Sequence, residues 1–318
     1  MKPSIRMWRR TPPAIFPPAL GFLGLGLAWR GAEEVFAFPL PLGEALLGAG
    51  TLMFLFMLLA WGAKPLRRPG VALEELRVLP GRAGVSAMTM GLMLLGAVLA
   101  PYAPSVALGV TLAALIAHSL CALLIVHVLL TGPPEQRGVT PVWHLSFVGV
   151  IVAALPAATL GLEGLALALL LVTMPVAAAI WAVSLWQLWR RIPPAPLRPL
   201  LAIHLAPAAL FASVAAQLDM PVLALAAALL GCMILLALLA AARWIAVSGF
   251  TPLWGAFTFP LAAFAGALID LGDGRGVVGA LAAVVLVAAT LIIPPILGKV
   301  VQAWLRGTLA DQTNAATV

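Results

Sequence analysis

The 28 residues from Pro104 to Thr131, PSVALGVTLAALIAHSLCALLIVHVLLT, contain no Asp, Glu, Lys or Arg. A membrane-spanning helix needs about 20 predominantly apolar residues, so this stretch is long enough to cross a bilayer. It follows the sequence Pro101-Tyr102-Ala103-Pro104, where another apolar block, residues 84–101, ends. Because two prolines three residues apart rarely continue one helix, they predict a tight turn between two antiparallel spans.

The composition of the whole chain agrees with this local pattern. Of its 318 residues, 63% are hydrophobic and 9% are charged, and the mean hydropathy is +1.12. Soluble domains carry about 25% charged residues, so a water-exposed globular fold is excluded. The net charge of +7 does not indicate nucleic acid as a partner, since the basic residues lie in short runs between apolar blocks and form no basic face.

Ten apolar blocks follow one another along the chain, and each has the length of a membrane span. We therefore predict an all-α integral membrane protein, with residues 1–318 forming one transmembrane domain of ten helices arranged as five helical hairpins. Residues 71–80 predict a short interfacial helix between the second and third blocks. The blocks cover residues 14–31, 43–63, 84–101, 104–131, 142–159, 163–188, 197–217, 221–246, 252–270 and 276–304.

The distribution of charge predicts the orientation of these spans. With both termini in the cytoplasm, 16 of the 18 Lys and Arg residues fall on the cytoplasmic side, as the positive-inside rule requires. Only Arg30 and Arg275 fall on the outer side, together with seven of the eleven acidic residues. An error of one span would invert the later half of the chain and remove this asymmetry.

Prolines inside the apolar blocks favour the odd-numbered spans. A proline frees a backbone carbonyl, which in a membrane must be satisfied by protein or by a water-filled cavity. Odd spans contain Pro17, Pro18, Pro156, Pro207 and Pro260, whereas even spans contain Pro175, Pro294 and Pro295. We therefore predict an inner ring of proline-kinked odd helices around a central pore, with straighter even helices outside it.

The chemistry available inside the spans is limited. Almost no carboxylate lies deep in a span, which argues against a cation path and leaves anions, since backbone N–H groups and helix N-termini can stabilise them. His144 and His204 lie on predicted inner helices and are candidates for the pore lining; the structural alternative is a neutral histidine bonded to a carbonyl that a nearby proline frees. No metal site and no cofactor are expected.

One acidic pair, Asp270 and Asp273, has the Asp-x-x-Asp spacing with which some membrane enzymes hold magnesium and diphosphate. The pair stands in a Gly-rich turn, and no second acidic cluster accompanies it. We interpret it as part of a solvated loop and predict that the protein is not an enzyme.

Several segments together resemble the tellurite-resistance/dicarboxylate transporter family, which includes bacterial TehA-type proteins and the plant slow-type anion channels. The segments are FPPALGFLGLGLAWR at 16–30, ELRVLPGR at 75–82, PVWH at 141–144 with VGVIVA at 148–153, Ala206-Pro207, and WGAFTFP at 254–260. Their order along nearly the whole chain carries the resemblance. The chain departs from the family at His144 and at Leu79-Pro80, where an aromatic residue and a His-Pro pair are usual.

The resemblance implies a homotrimer in which each subunit has its own anion pore, formed by five inner helices. It implies that a phenylalanine of the ninth span blocks the pore, and motif position assigns this role to Phe259, with Phe257 as the second candidate. The structural alternative is that both rings pack between helices. Gly21 matches a family position where a small side chain keeps the lumen open.

We therefore expect an anion channel or channel-like exporter of the bacterial inner membrane. It would conduct small anions such as chloride, nitrate, sulfite and tellurite. A proton-coupled dicarboxylate carrier is the alternative that the resemblance also permits, with His144 or His204 carrying the proton.

Overall fold

The computed structural model of the protein describes residues 8–272 and 274–317. Ten helical segments of at least 16 residues follow one another in these ranges. They are α1 Phe16–Val35, α2 Leu42–Arg67, α3 Leu79–Leu99, α4 Pro104–Thr131, α5 His144–Thr159, α6 Glu163–Arg190, α7 Ala195–Gln217, α8 Pro221–Ala240, α9 Pro252–Leu271 and α10 Gly276–Leu305.

Eight of these segments in the described ranges are long and apolar enough to cross a membrane. The remaining two, α1 and α5, stand where the first and fifth spans were predicted. α1 has 20 residues and includes Arg30, Glu33 and Glu34 in its last two turns, whereas α5 is short and irregular. The largest differences from the predicted bounds are at α3, which already begins at Leu79, and at α8, which ends at Ala240.

Burial separates the odd-numbered from the even-numbered segments. In the most apolar stretches of α3, α7 and α9, at least 61% of the residues are buried, whereas the share is at most 33% in α2, α4, α6, α8 and α10. The even segments expose large apolar side chains such as Leu52, Leu123 and Leu236. An apolar surface of this extent is stable in contact with lipid rather than water.

The contacts between segments follow two rules. Each odd-numbered segment contacts the even-numbered segment that follows it. In addition, α1 contacts α3, α3 contacts α5, α5 contacts α7, α7 contacts α9, and α9 contacts α1. The five odd-numbered segments therefore make a closed cycle of contacts.

The prolines of the odd-numbered segments lie where the helix changes type. The first parts of α5, α7 and α9 are 3-10 or π helix, and regular α-helix begins only at Ala154, Leu205 and Thr258. Pro156, Pro207 and Pro260 are each the third residue of that α-helix, and Pro17 and Pro18 occupy the second and third positions of α1. A proline is well tolerated there, because its fixed φ angle suits the first turn of an α-helix.

Pro175, Pro294 and Pro295 differ from these prolines because each lies inside a continuous α-helix of an even-numbered segment. The prediction of kinks inside the odd helices is therefore corrected in one respect. The odd prolines begin the α-helical part and do not interrupt it.

The expected short helix between the second and third spans forms at Val71–Leu76. Its Glu75 is fully buried and pairs with the equally buried Lys64 at the end of α2, and the Lys64 Nζ also donates a hydrogen bond of 3.0 Å to the Thr11 carbonyl. The helix is thus anchored in the protein by a buried ion pair. On its exposed side, hydrogen bonds from Arg68 lower the pKa of Glu74.

Candidate functional site

A first cavity lies among the N-terminal parts of the odd-numbered segments, and we call it the N-terminal cavity. It measures about 40 Å³. Every lining residue is apolar, and all five odd-numbered segments, with Ala14 just before α1, contribute. Representative lining residues are Pro17, Ala83, Leu145, Ile203 and Pro260.

A second cavity lies among the C-terminal parts of the same five segments, and we call it the C-terminal cavity. It measures about 320 Å³ and has a mixed lining. Its polar residues are Arg30, Glu34, Thr159, Ser213, Gln217 and Asp270. The two cavities therefore lie toward opposite ends of the same group of helices.

Phe259 is the one described residue that lines both cavities. Its side chain is 4% exposed and follows the point where α9 changes from 3-10 to α-helix. Phe257, two residues earlier, lines neither cavity and packs edge to face on Trp254, with ring centroids 5.5 Å apart. The structure thus separates the two phenylalanines that the sequence left as alternatives.

Two glycines of α1 allow α9 to approach closely at Phe259. A Cβ atom on Gly21 would lie 2.3 Å from Thr258 Cβ and 2.7 Å from the Phe259 backbone nitrogen, and one on Gly24 would lie 3.3 Å from Phe259 Cδ2. The Thr258 hydroxyl donates toward the Gly255 and Pro17 carbonyls, at 2.7 and 3.1 Å. Gly21 lies at this helix contact and lines neither cavity.

His144 and His204 are in direct contact although 60 residues separate them. His144 Nε2 and His204 Nδ1 are 2.9 Å apart, and both residues are at least nine-tenths buried. The Trp181 indole N–H donates to the His204 backbone carbonyl at 3.1 Å. The carbonyl is therefore paired through a tryptophan of α6, and each imidazole pairs with the other imidazole.

The histidine pair lies close to the N-terminal and C-terminal cavities. His144 and Pro207 line a small cavity of about 10 Å³, which shares Leu145, Ile203 and Ala206 with the N-terminal cavity and Leu210 with the C-terminal cavity. His204 does not line it. Pro18 and Pro156 are buried and line none of these cavities; Pro18 packs close to Gly255.

Arg82 is a residue that sequence reasoning treated only as a topology signal. It is 7% exposed, and its Nη1 has no hydrogen-bond partner within the described ranges. Its neighbours Pro80 and Ala83 line the N-terminal cavity. Arg82 lies two residues before the predicted third span and two residues after Pro80, so a cytoplasmic position was predicted and nothing in the sequence indicated this burial.

Arg30 is a second such residue, at the C-terminal cavity. Its guanidinium makes a two-point ion pair with Glu44, at 2.6 and 3.1 Å. Tyr102, in the turn between α3 and α4, faces this pair, and hydrogen bonding to Glu44 raises the pKa of the phenol. The positive charge of Arg30 is therefore largely neutralised where it meets the cavity.

Asp270 lies in the last turn of α9 and lines the C-terminal cavity. The expectation that it stands in a loop is thus wrong, because the helix continues to Leu271, but the residue is exposed as expected. Asp273, the second member of the pair, lies outside the described residues. The acidic pair therefore provides no assembled site in the part of the chain that the structure describes.

The sequence profile of the voltage-dependent anion channel family matches residues 10–296 of the chain. The protein belongs to this family, and the resemblance drawn from the sequence is confirmed. A search of curated proteins found no significant match. The family consists of anion channels and transporters rather than enzymes.

Proposed function

We propose that the protein conducts small anions through a ten-span pore that runs from the N-terminal cavity to the C-terminal cavity, and that Phe259 closes this pore. The observation that carries the proposal is that Phe259 lines both cavities. An aromatic ring in a narrow apolar tube excludes water, and an ion cannot pass without water or substitute ligands.

The charge around the N-terminal cavity favours anions. The α-helical parts of α1, α3, α7 and α9 begin near it, at Phe16, Leu79, Leu205 and Thr258, and helix N-termini carry positive partial charge. Arg82 adds a full positive charge beside Pro80 and Ala83. Of the described carboxylates, none lines this cavity.

The charge around the C-terminal cavity has the opposite sign. Glu34 and Asp270 line it, and the charge of Arg30 is neutralised by Glu44. An anion is therefore attracted at the N-terminal end and released at the C-terminal end. With the N-terminus in the cytoplasm of a bacterial inner membrane, this asymmetry favours export of anions such as chloride, nitrate, sulfite and tellurite.

The experiment compares anion currents of the wild type, Phe259→Ala and Phe257→Ala in planar bilayers. Phe259→Ala is expected to raise the chloride current by about a hundredfold, since removal of the ring lowers a barrier of about 2 to 3 kcal/mol. Phe257→Ala is the matched control, because the same truncation removes a ring that lines neither cavity.

Two results would contradict the proposal that Phe259 closes the pore. One is an equal rise in current in both variants, and the other is an unchanged current in a Phe259→Ala protein that inserts and assembles like the wild type. Nitrate and sulfite, measured in the same bilayers, establish the order of permeation.

We further propose that the protein is a homotrimer with a separate pore in each subunit, as the family resemblance implies. The closed cycle of contacts among α1, α3, α5, α7 and α9 supports a pore within one chain. The exposed apolar faces of the even-numbered segments leave surface for both lipid and neighbouring subunits.

A proton-coupled carboxylate carrier is the second candidate, and the His144–His204 contact favours it. One proton bridges the two rings, so the pair retains one free N–H and one free acceptor nitrogen. Uptake of labelled succinate into vesicles, driven by a pH gradient and lost in His144→Asn, would establish the carrier. Chloride current that is independent of the pH gradient would establish the channel.

A further inference from the structure

A lateral groove on the outside of the protein shares one lining residue, Leu200, with the cavities described above. It has two adjacent compartments, of about 590 and 500 Å³, which share Val139. The first lies between α4 and α6 and is lined by apolar residues and Arg137. The second lies at the end of α6 and is lined in part by Thr140, Ser184, Gln187, Arg190 and Arg191.

The polar compartment contains groups that lack partners within the protein. Ser184 is 5% exposed, and its hydroxyl has no hydrogen-bond partner among the described residues. The Thr140 hydroxyl is in the same situation. A buried hydroxyl without a partner loses its hydrogen bonds to water, so a ligand atom that pairs with it is stabilised.

The charge of this compartment is positive and uncompensated. Neither Arg190 nor Arg191 takes part in an ion pair with a described carboxylate. The Arg190 guanidinium lies over the Trp186 ring, 5.1 Å from its centroid. These features select an anionic group that accepts hydrogen bonds, as a phosphate does.

The depth of the groove in the membrane follows from its neighbours. Trp186 and Trp189 are exposed beside the polar compartment, and tryptophan is enriched at the level of the lipid headgroups. The apolar compartment extends from there along α4 and α6, whose flanking Leu130 and Leu185 are also exposed. The groove thus has a phosphate-binding end at headgroup level and an apolar end at the level of the acyl chains.

We propose that this groove binds one anionic phospholipid per subunit, with its phosphate on Arg190 and Arg191 and an acyl chain between α4 and α6. Basic pockets between membrane helices recognise acidic headgroups in this way. The lipid also contacts Leu200, which lines both the polar compartment and the N-terminal cavity. The bound lipid therefore supports the wall of the N-terminal cavity from outside.

Native mass spectrometry of the protein from mixed phosphatidylglycerol and phosphatidylcholine vesicles tests the charged end. We expect the wild type to retain one phosphatidylglycerol per subunit. We expect the double variant Arg190→Gln, Arg191→Gln to bind this lipid about 25-fold more weakly, or about fivefold for each arginine. The control is Arg77→Gln with Arg306→Gln, which removes the same charge from exposed positions outside the groove. Equal weakening in both double variants would overturn the proposal.

A second pair of variants tests the apolar end and leaves the charges in place. Ala178 and Ala179 are neighbouring exposed residues of α6, but only Ala179 lines the groove. We expect Ala179→Trp to displace the lipid and Ala178→Trp to retain it. Two results would overturn the proposal. One is that phosphatidylcholine is retained as well as phosphatidylglycerol. The other is a disulfide between subunits when Ala179→Cys is oxidised, because it would show that a second copy covers the groove.

Discussion

A guanidinium buried without a carboxylate is unusual, because an unpaired charge loses its hydration and gains nothing in return. Arg82, next to the N-terminal cavity, is 7% exposed and forms no ion pair with a described carboxylate. An anion that passes through the N-terminal cavity, as proposed above, would come near this guanidinium, because the neighbouring residues Pro80 and Ala83 line the cavity. At the scale of single residues, Arg82 is therefore a second residue to test beside Phe259, and both lie in segments that resemble the family.

Replacement of Arg82 by glutamine tests this interpretation in the Phe259→Ala background, where current is measurable. We expect the chloride current at low salt to fall about tenfold, with a smaller difference at high ionic strength, because screening weakens the attraction of the charge for the ion. Arg77→Gln is the control, since Arg77 is exposed. Equal currents in the two variants would show that the charge of Arg82 does not act on the ion.

The close contact at Gly21 leads to a prediction about the stability of the Gly21→Ala variant. Gly21→Ala places a methyl group 2.3 Å from Thr258 Cβ, so the contact between α1 and α9 must open, at a cost of about 1 to 3 kcal/mol. Gly48→Ala in α2 meets no atom within 4 Å and is expected to stabilise its helix by up to about 1 kcal/mol. Thermal unfolding in detergent measures both, and a Gly21→Ala protein as stable as the wild type would refute the close contact.

At the scale of helices, whether a proline interrupts an α-helix depends on its position within that helix. Pro17, Pro156, Pro207 and Pro260 all stand in the first three residues of an α-helix that directly follows a 3-10 helix. The transitions lie toward the N-terminal cavity. The backbone changes helix type there, and the α-helical parts that follow remain continuous.

Two proline variants test this distinction. Pro260→Ala is expected to change the free energy of unfolding by less than about 1 kcal/mol, because the proline stands in the first turn of the α-helical part, where its fixed φ angle causes no strain. Pro175→Ala restores a hydrogen bond in the middle of α6 and is expected to stabilise the protein by up to about 3 kcal/mol. A large loss of stability in Pro260→Ala alone would show that the transition depends on the proline ring.

At the scale of the whole molecule, the closed cycle of five segments predicts that one chain suffices for conduction. If the proposed trimer forms, subunits of the wild type and of Phe259→Ala, mixed in known ratios, should then give a current proportional to the fraction of Phe259→Ala subunits. Single-channel records should show up to three independent levels. A current that depends on the cube of that fraction would instead require one pore shared by three chains.

The sequence predicted the features that depend on local pattern. Apolar blocks located the helical segments because each crossing needs a similar length of apolar chain. The family resemblance around Pro260 pointed to Phe259, which lines both cavities, and its role as a gate stays a prediction. The sequence did not predict that His144 contacts His204, that Asp270 faces a cavity, or that Lys64 and Glu75 form a buried pair. These depend on which apolar helices become neighbours, and apolar surfaces of similar composition carry little information about their partners.

The difference in burial between odd-numbered and even-numbered segments has a consequence for how such a protein can change over time. Residues that line the proposed pore belong to one set of segments, and most residues of the other set are not buried but lie on the outside of the protein, where lipid would contact them. Selection can therefore act on each set separately along a single chain. A lineage can acquire a new permeant ion while keeping its fit to the host membrane, or move to a thicker membrane while keeping its ion.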